Sequence, residues 1–175
     1  CAAGGRGWNQ PTSIGASDFT SQITQWSLDN FGEDVIANRR GSSIYLYDTD
    51  ASATPLRATL VSGATNSTPT TVTSIIVSPN DRHLICLGSN SFNTTSSPNG
   101  TFDPMTVRWS NQEDITNWVP STSSTSGESV LTDGTKIVGG VRSRNAINIW
   151  TDNSLWLMQF TGPPFTFSFR QAGSN

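Results

Sequence analysis

Charge, cysteine and histidine are all scarce in this chain. Charged side chains make up 13% of its 175 residues, about half of the usual ~25%. A single histidine, His83, excludes a histidine-rich metal centre and makes a histidine-based triad a poor fit. It follows the polar turn Asn80-Asp81-Arg82, and a surface or strand-edge position is expected for it. Two cysteines, Cys1 and Cys86, are too few for a disulfide framework. Cys86 sits in an apolar run and reads as a buried free thiol. No apolar run approaches the ~18 residues of a membrane-spanning helix. The net charge of −3 gives the molecule no general attraction for nucleic acid.

The residues that replace the charges are Ser, Thr and Asn, interspersed with short β-branched and aromatic runs. Hydrophobic residues, at 34%, still allow a core. Few helix formers and many β-branched residues predict an all-β chain.

One phrase occurs three times: an apolar run, a polar turn, then a second apolar run ending on an aromatic residue. The first copy is Val35-Ile36-Ala37, Arg39-Arg40-Gly41-Ser42 and Ile44-Tyr45-Leu46-Tyr47. The second runs from His83-Leu84-Ile85-Cys86-Leu87 across a long polar stretch to Thr106-Val107-Arg108-Trp109. The third is Ile137-Val138-Gly139-Gly140-Val141, Arg142-Ser143-Arg144-Asn145 and Ile147-Asn148-Ile149-Trp150. Trp109 and Trp150 stand 41 residues apart, within the ~40–45 of a propeller blade of the WD40 type. Tyr47 and Trp109 are 62 apart, an excess that the polar stretch Gly88–Pro104 accounts for as an insertion.

Laid out on this repeat, the predicted strands are Ile23–Leu28, Val35–Asn38, Ile44–Tyr47 and Leu56–Val61 in unit one. Unit two takes Val72–Val77, Leu84–Leu87, Thr106–Trp109 and Ile115–Val119. Unit three takes Ser129–Leu131, Ile137–Val141, Ala146–Trp150 and Leu155–Phe160. Phe165–Arg170 alternates Phe with polar residues and opens a fourth unit. The expected architecture is all-β and propeller-like. It has three four-stranded antiparallel blades (about 23–61, 72–119 and 129–160) and the first strand of a fourth. Residues 1–21 form an N-terminal arm or linker before a domain spanning 22–175. Apolar residues on both alternations of a strand, Ile44 and Leu46 against Tyr45 and Tyr47, need cover on two sides, as a blade between blades has. A β-sandwich or jelly roll of about a dozen strands is the alternative. A closed propeller needs about four to eight blades, and with Cys1 in place of a starting Met the sequence reads as part of a longer chain. Cys1-Ala2-Ala3-Gly4-Gly5 also matches the start of a mature bacterial lipoprotein.

No catalytic constellation and no cofactor motif emerges, so the chain reads as a non-enzyme that needs no cofactor. Asp48/Asp50 and Glu113/Asp114 lack EF-hand spacing and read as solvated turns. Gly139-Gly140 lies inside a strand and opens no helix. It marks a bulge or a close backbone approach, not a phosphate loop. Trp109, Trp150 and Trp156 recur at strand positions and read as core. Nine of the 13 acidic residues fall in first-to-second or third-to-fourth strand turns: Glu33, Asp34, Asp48, Asp50, Asp81, Glu113, Asp114, Asp133 and Asp152. On this strand numbering Arg39, Arg40, Arg142 and Arg144 fall in second-to-third turns, at the opposite edge. They are the candidate residues for facing a partner or DNA, and a ring of subunits would multiply their field.

Three segments carry a resemblance. They are Trp26-Ser-Leu-Asp-Asn-Phe-Gly-Glu-Asp34, Val107-Arg-Trp-Ser-Asn-Gln-Glu-Asp114 with Trp118, and the string from Ile137 through Trp150-Thr-Asp152 and Gly162-Pro-Pro-Phe165 to Gln171-Ala-Gly-Ser-Asn175. Over about Ile23 to Asn175 the chain resembles tail nozzle or hub proteins of short-tailed bacteriophages, also called packaged-DNA stabilisation proteins. The resemblance implies a structural virion protein below the portal. It would form the DNA channel, retain the packaged genome and permit its ejection. It also implies a homo-oligomer, a six-fold ring, touching the portal or adaptor and other tail proteins. DNA would be met by charge only, and no membrane is involved. A propeller scaffold or binding module, such as a lipoprotein anchored at Cys1, is the competing expectation.

Overall fold

A computed structural model describes residues 25–51, 57–62, 67–93, 99–162 and 164–174. These residues are all-β, with no helix among them, and form twelve strands in three four-stranded antiparallel sheets. Sheet one holds β1 (Trp26–Phe31), β2 (Asp34–Arg39), β3 (Ile44–Tyr47) and β4 (Thr59–Leu60). Sheet two holds β5 (Val72–Val77), β6 (Leu84–Phe92), β7 (Asn99–Trp109) and β8 (Gly127–Val130). Sheet three holds β9 (Ile137–Arg142), β10 (Ile147–Thr151), β11 (Ser154–Phe160) and β12 (Phe167–Ser174). In each sheet the strands lie in chain order, so neighbouring strands run up and down.

The core follows from period-two alternation on the middle sheet. Ile75, Val77, Leu84 and Cys86 point to one side, where they pack with Ile36 and Ile44 of sheet one. Ile76, Ile85, Leu87, Val107 and Trp109 point to the other, against Ile137, Ile147, Ile149 and Met158 of sheet three. Sheet two is therefore covered on both faces. Among the described residues the outer sheets are each covered on one.

Three expectations change. Ile115–Val119 is not a strand. Trp118 and Ile115 are buried because they fold onto the body as a turn, closed by the Trp118 indole donating to the Ile115 carbonyl at 2.7 Å. The fourth strand of sheet two is β8, which contains residues assigned by sequence to unit three. The count then moves by one strand. Phe167–Ser174 completes sheet three by pairing with β11 and does not open a fourth unit. Finally, part of the Gly88–Pro104 insertion is strand. β6 and β7 continue through it, pairing Ser89 with Asp103, Asn90 with Phe102 and Phe92 with Asn99, with bulges between. Its polar side chains hid a ladder made by backbone. The predicted arm, residues 1–21, lies outside the described residues.

Candidate functional site

The first strands of the three sheets, β1, β5 and β9, lie beside one another, and side chains rather than a backbone ladder join them. The Ser27 hydroxyl donates to the Ile75 carbonyl at 3.1 Å and accepts from the Ile75 amide at 3.2 Å. Two residues on, the Val77 amide donates to the Asp29 carboxylate at 2.8 Å. Both pairs are 48 apart in number, so β1 and β5 run in the same direction. Arg142, at the end of β9, places one guanidinium nitrogen 3.0 Å from Asp29 and donates another to the Val77 carbonyl at 3.4 Å. One carboxylate thus touches all three sheets. At the other end of the same strands, a cavity of about 160 Å³ is lined by Trp26 and Ser27, by Thr73 and Ser74, by Val138 and Gly139, and by Arg40. The Ser74 hydroxyl is buried without a partner among the described residues.

The four candidate arginines do not share an edge. Arg39 pairs with Trp26 at the start of β1. Arg40 donates its amide and its guanidinium to Gln25, each at 2.9 Å. Arg142 lies level with Asp29 and Val77, towards the opposite end, and Arg144 is in the turn just beyond it. The reason is the one-strand shift. The arginine turn of sheet three joins its first and second strands, whereas that of sheet one joins its second and third. Arg142 and Arg144 therefore belong with Glu33, Asp34, Asp48, Asp50, Asp81, Glu113 and Asp114, which the up-and-down order puts at one end. Arg82 pairs with Glu113 there at 2.8 Å. Asp133 and Asp152 move to the end that holds Arg39 and Arg40. Asp152 caps its turn by accepting from the Thr135 hydroxyl and amide, which hold its carboxyl down to about 2.

Two buried polar residues escaped the sequence reading. Arg108 is 1% exposed, and among the described residues no carboxylate is bonded to it. Its guanidinium donates to the Asn90 carbonyl at 3.2 Å, the Asn99 side-chain oxygen at 2.9 Å, the Ser67 carbonyl at 2.9 Å and the Trp118 carbonyl at 3.4 Å. It lies between the Phe92 and Trp118 rings, and burial pushes its pKa below the ordinary value. Arg108 thus clamps the long β6–β7 hairpin to the segments on either side. His83 is fully buried, against the surface expectation. Its ring meets Phe167 edge-on at 5.1 Å, its Nε2 lies 3.0 Å from the Thr125 hydroxyl, and burial lowers its pKa to about 4. Trp26 and Leu28 alternate with Ser27 and Asp29 in the sequence, and that alternation is the signal that could have found the seam.

Two local expectations hold. Cys86 is a buried free thiol whose pKa burial pushes up. A bulge falls between Trp150 and Thr151, opposite Ile137–Gly139, and a Cβ on Gly140 would come within 2.7 Å of Leu87 and 2.8 Å of Ile76. Trp109 is in the core, but Trp150 is 39% exposed. Among the described residues no group of three or more His, Cys, Asp or Glu is placed to hold a metal ion. No family model and no curated protein matches the chain.

Proposed function

We propose that this chain is a structural protein of a bacteriophage tail, part of the nozzle or hub below the portal. Its three sheets act as blades of a propeller-like body. The observation that carries the reading is the arrangement of β1, β5 and β9. Three consecutive four-stranded sheets bring their first strands side by side and parallel at a common edge, as blades do around a channel. The segments similar to tail proteins fall in all three sheets and in the 110–118 turn.

The role is to build and gate a passage, with no catalytic step. Copies form a six-fold ring, bound to the portal or adaptor above and to other tail proteins. The ring retains the packaged genome and opens for ejection. DNA is met by charge alone, at the end bearing Arg39 and Arg40, since Arg142 is held by Asp29. The location is the virion. Electron microscopy of purified particles, with an affinity label on this chain, tests the reading. A label in a six-fold ring beneath the portal supports it. Particles that lack the chain overturn it.

A further inference from the structure

We propose that the cavity at the first strands of the three sheets is a seat for one phosphate group. The inference rests on the reading above, in which phosphates meet the Arg39–Arg40 end of the body, and narrows that contact from charge to a place.

The walls select the ligand. No Asp, Glu, His or Cys lines the cavity, so its side chains offer no carboxylate, imidazole or thiolate to a metal ion. Asp29, the one acid on β1, β5 and β9, lies towards the other end and is paired with Arg142. The polar side chains present can donate. Arg40 brings a full charge, Gln25 an amide, and Thr73 and Ser74 a hydroxyl each.

Arg40 is held in position, since its amide and its guanidinium both bond Gln25 at 2.9 Å. That takes one guanidinium N–H. Among the described residues no carboxylate takes another, and the rest of the planar fork stays available. An arginine fork matches two phosphate oxygens at once. On the cavity wall, the Ser74 hydroxyl is buried without a partner among the described residues. Native structures leave few such groups, and a ligand oxygen satisfies this one.

Size narrows the choice further. The cavity of about 160 Å³ is short of the ~300 Å³ at which sites for drug-sized ligands begin. It holds roughly five waters at the ~30 Å³ each occupies in the liquid. That suits one tetrahedral oxyanion and leaves no room for a whole nucleotide. A strand of DNA passing the mouth and free phosphate both present that group.

Amide NMR of the 175-residue chain, titrated with inorganic phosphate against chloride at equal ionic strength, tests this. Saturating shifts are expected at Arg40, Thr73 and Ser74. Arg40→Gln should weaken binding about tenfold or more, through lost charge-assisted bonds. Arg39→Gln removes an equal charge from a neighbour that does not line the cavity, and should lose clearly less. Thr73→Val keeps every charge and should also weaken binding. Both arginines are exposed, so their variants should fold and decide the matter if Thr73→Val does not. Equal losses from the two arginine variants overturn the proposal, because charge alone explains them. So does the absence of saturating shifts at about 50 mM phosphate, beyond the millimolar range of weak binding. A short DNA duplex identifies the source, and either result keeps the seat. Displacement of phosphate from these residues assigns the group to the DNA backbone. No displacement assigns it to free phosphate and removes DNA from the seat, while the tail role is decided separately on virions.

Discussion

The Ser27 hydroxyl takes both backbone groups of Ile75, accepting from its amide and donating to its carbonyl. Ile75 sits on a first strand whose backbone, among the described residues, meets the backbone of sheet one only at Val72, through Gly41 and Ser42, and its side chain is buried. One hydroxyl therefore supplies what a neighbouring strand would supply. Ser27→Ala strands both groups and should lower stability by about 1–3 kcal/mol in urea denaturation. Ser27→Thr keeps the hydroxyl and should lose less. Equal stability of Ser27→Ala and the parent chain would rule out a joining role.

Asp29 and Arg142 form the second part of this seam. The Asp29 side chain is 10% exposed and the Arg142 side chain 45%. Asp29→Ala also frees the Val77 amide and should cost more than Arg142→Ala. A double-mutant cycle should give a coupling of up to about 1 kcal/mol that weakens in high salt. Zero coupling at low salt would remove the ion pair from the account.

Arg108 is expected to be the most sensitive charged residue. Arg108→Lys keeps the charge but loses the planar fork that serves four separate acceptors. The change should cost about 2 kcal/mol or more. Hydrogen exchange should locate the loss in β6, β7 and the segment around Trp118. Exchange that rises equally across all three sheets would count against a local clamp.

His83 should make stability depend on pH. Above its ordinary value of 6.5 the ring is neutral whether folded or unfolded. Below that value the unfolded chain takes up a proton that the folded chain refuses until about 4. Stability therefore falls as pH drops through this window, by up to ~1.4 kcal/mol per pH unit, and levels off beneath it. His83→Gln should flatten the profile of denaturation midpoints between pH 7 and 4. An unchanged slope would show that other groups set it.

Gly139 and Gly140 give a matched pair. A Cβ on Gly140 would push into Leu87 and Ile76 between sheets two and three, whereas one on Gly139 meets nothing within 4 Å. Gly140→Ala should cost about 1–3 kcal/mol, with Gly139→Ala close to neutral. Thermal melts of the two variants compare them directly, and equal melting temperatures would sink the close-approach account.

The strand runs were legible because burial on a sheet leaves a period of two. β3 and β5 fall where Ile44–Tyr47 and Val72–Val77 predicted them. The phase of the repeat was lost at Ile115 and Trp118, since a turn that plugs the core carries the same apolar residues as a strand. That slip placed Arg142 at the wrong edge. The β6–β7 extension was missed because a ladder needs no apolar side chains. Arg108 looked like any polar position in an alternating strand, and its four acceptors are brought together only by the fold. His83 gave no signal either, as the phenylalanines around it come from β11 and β12.

The joint at Ser27, Asp29 and Arg142 also bears on how such a chain can evolve. A continuous ladder between sheets would tie their registers, so that duplicating or deleting one sheet would misalign the next. A joint of a few side chains and one short backbone bridge, from Gly41 and Ser42 to Val72, ties the registers far less. Each sheet can then be copied, lost or lengthened as a unit, and the middle sheet, with its long hairpin, already spans more chain than either neighbour.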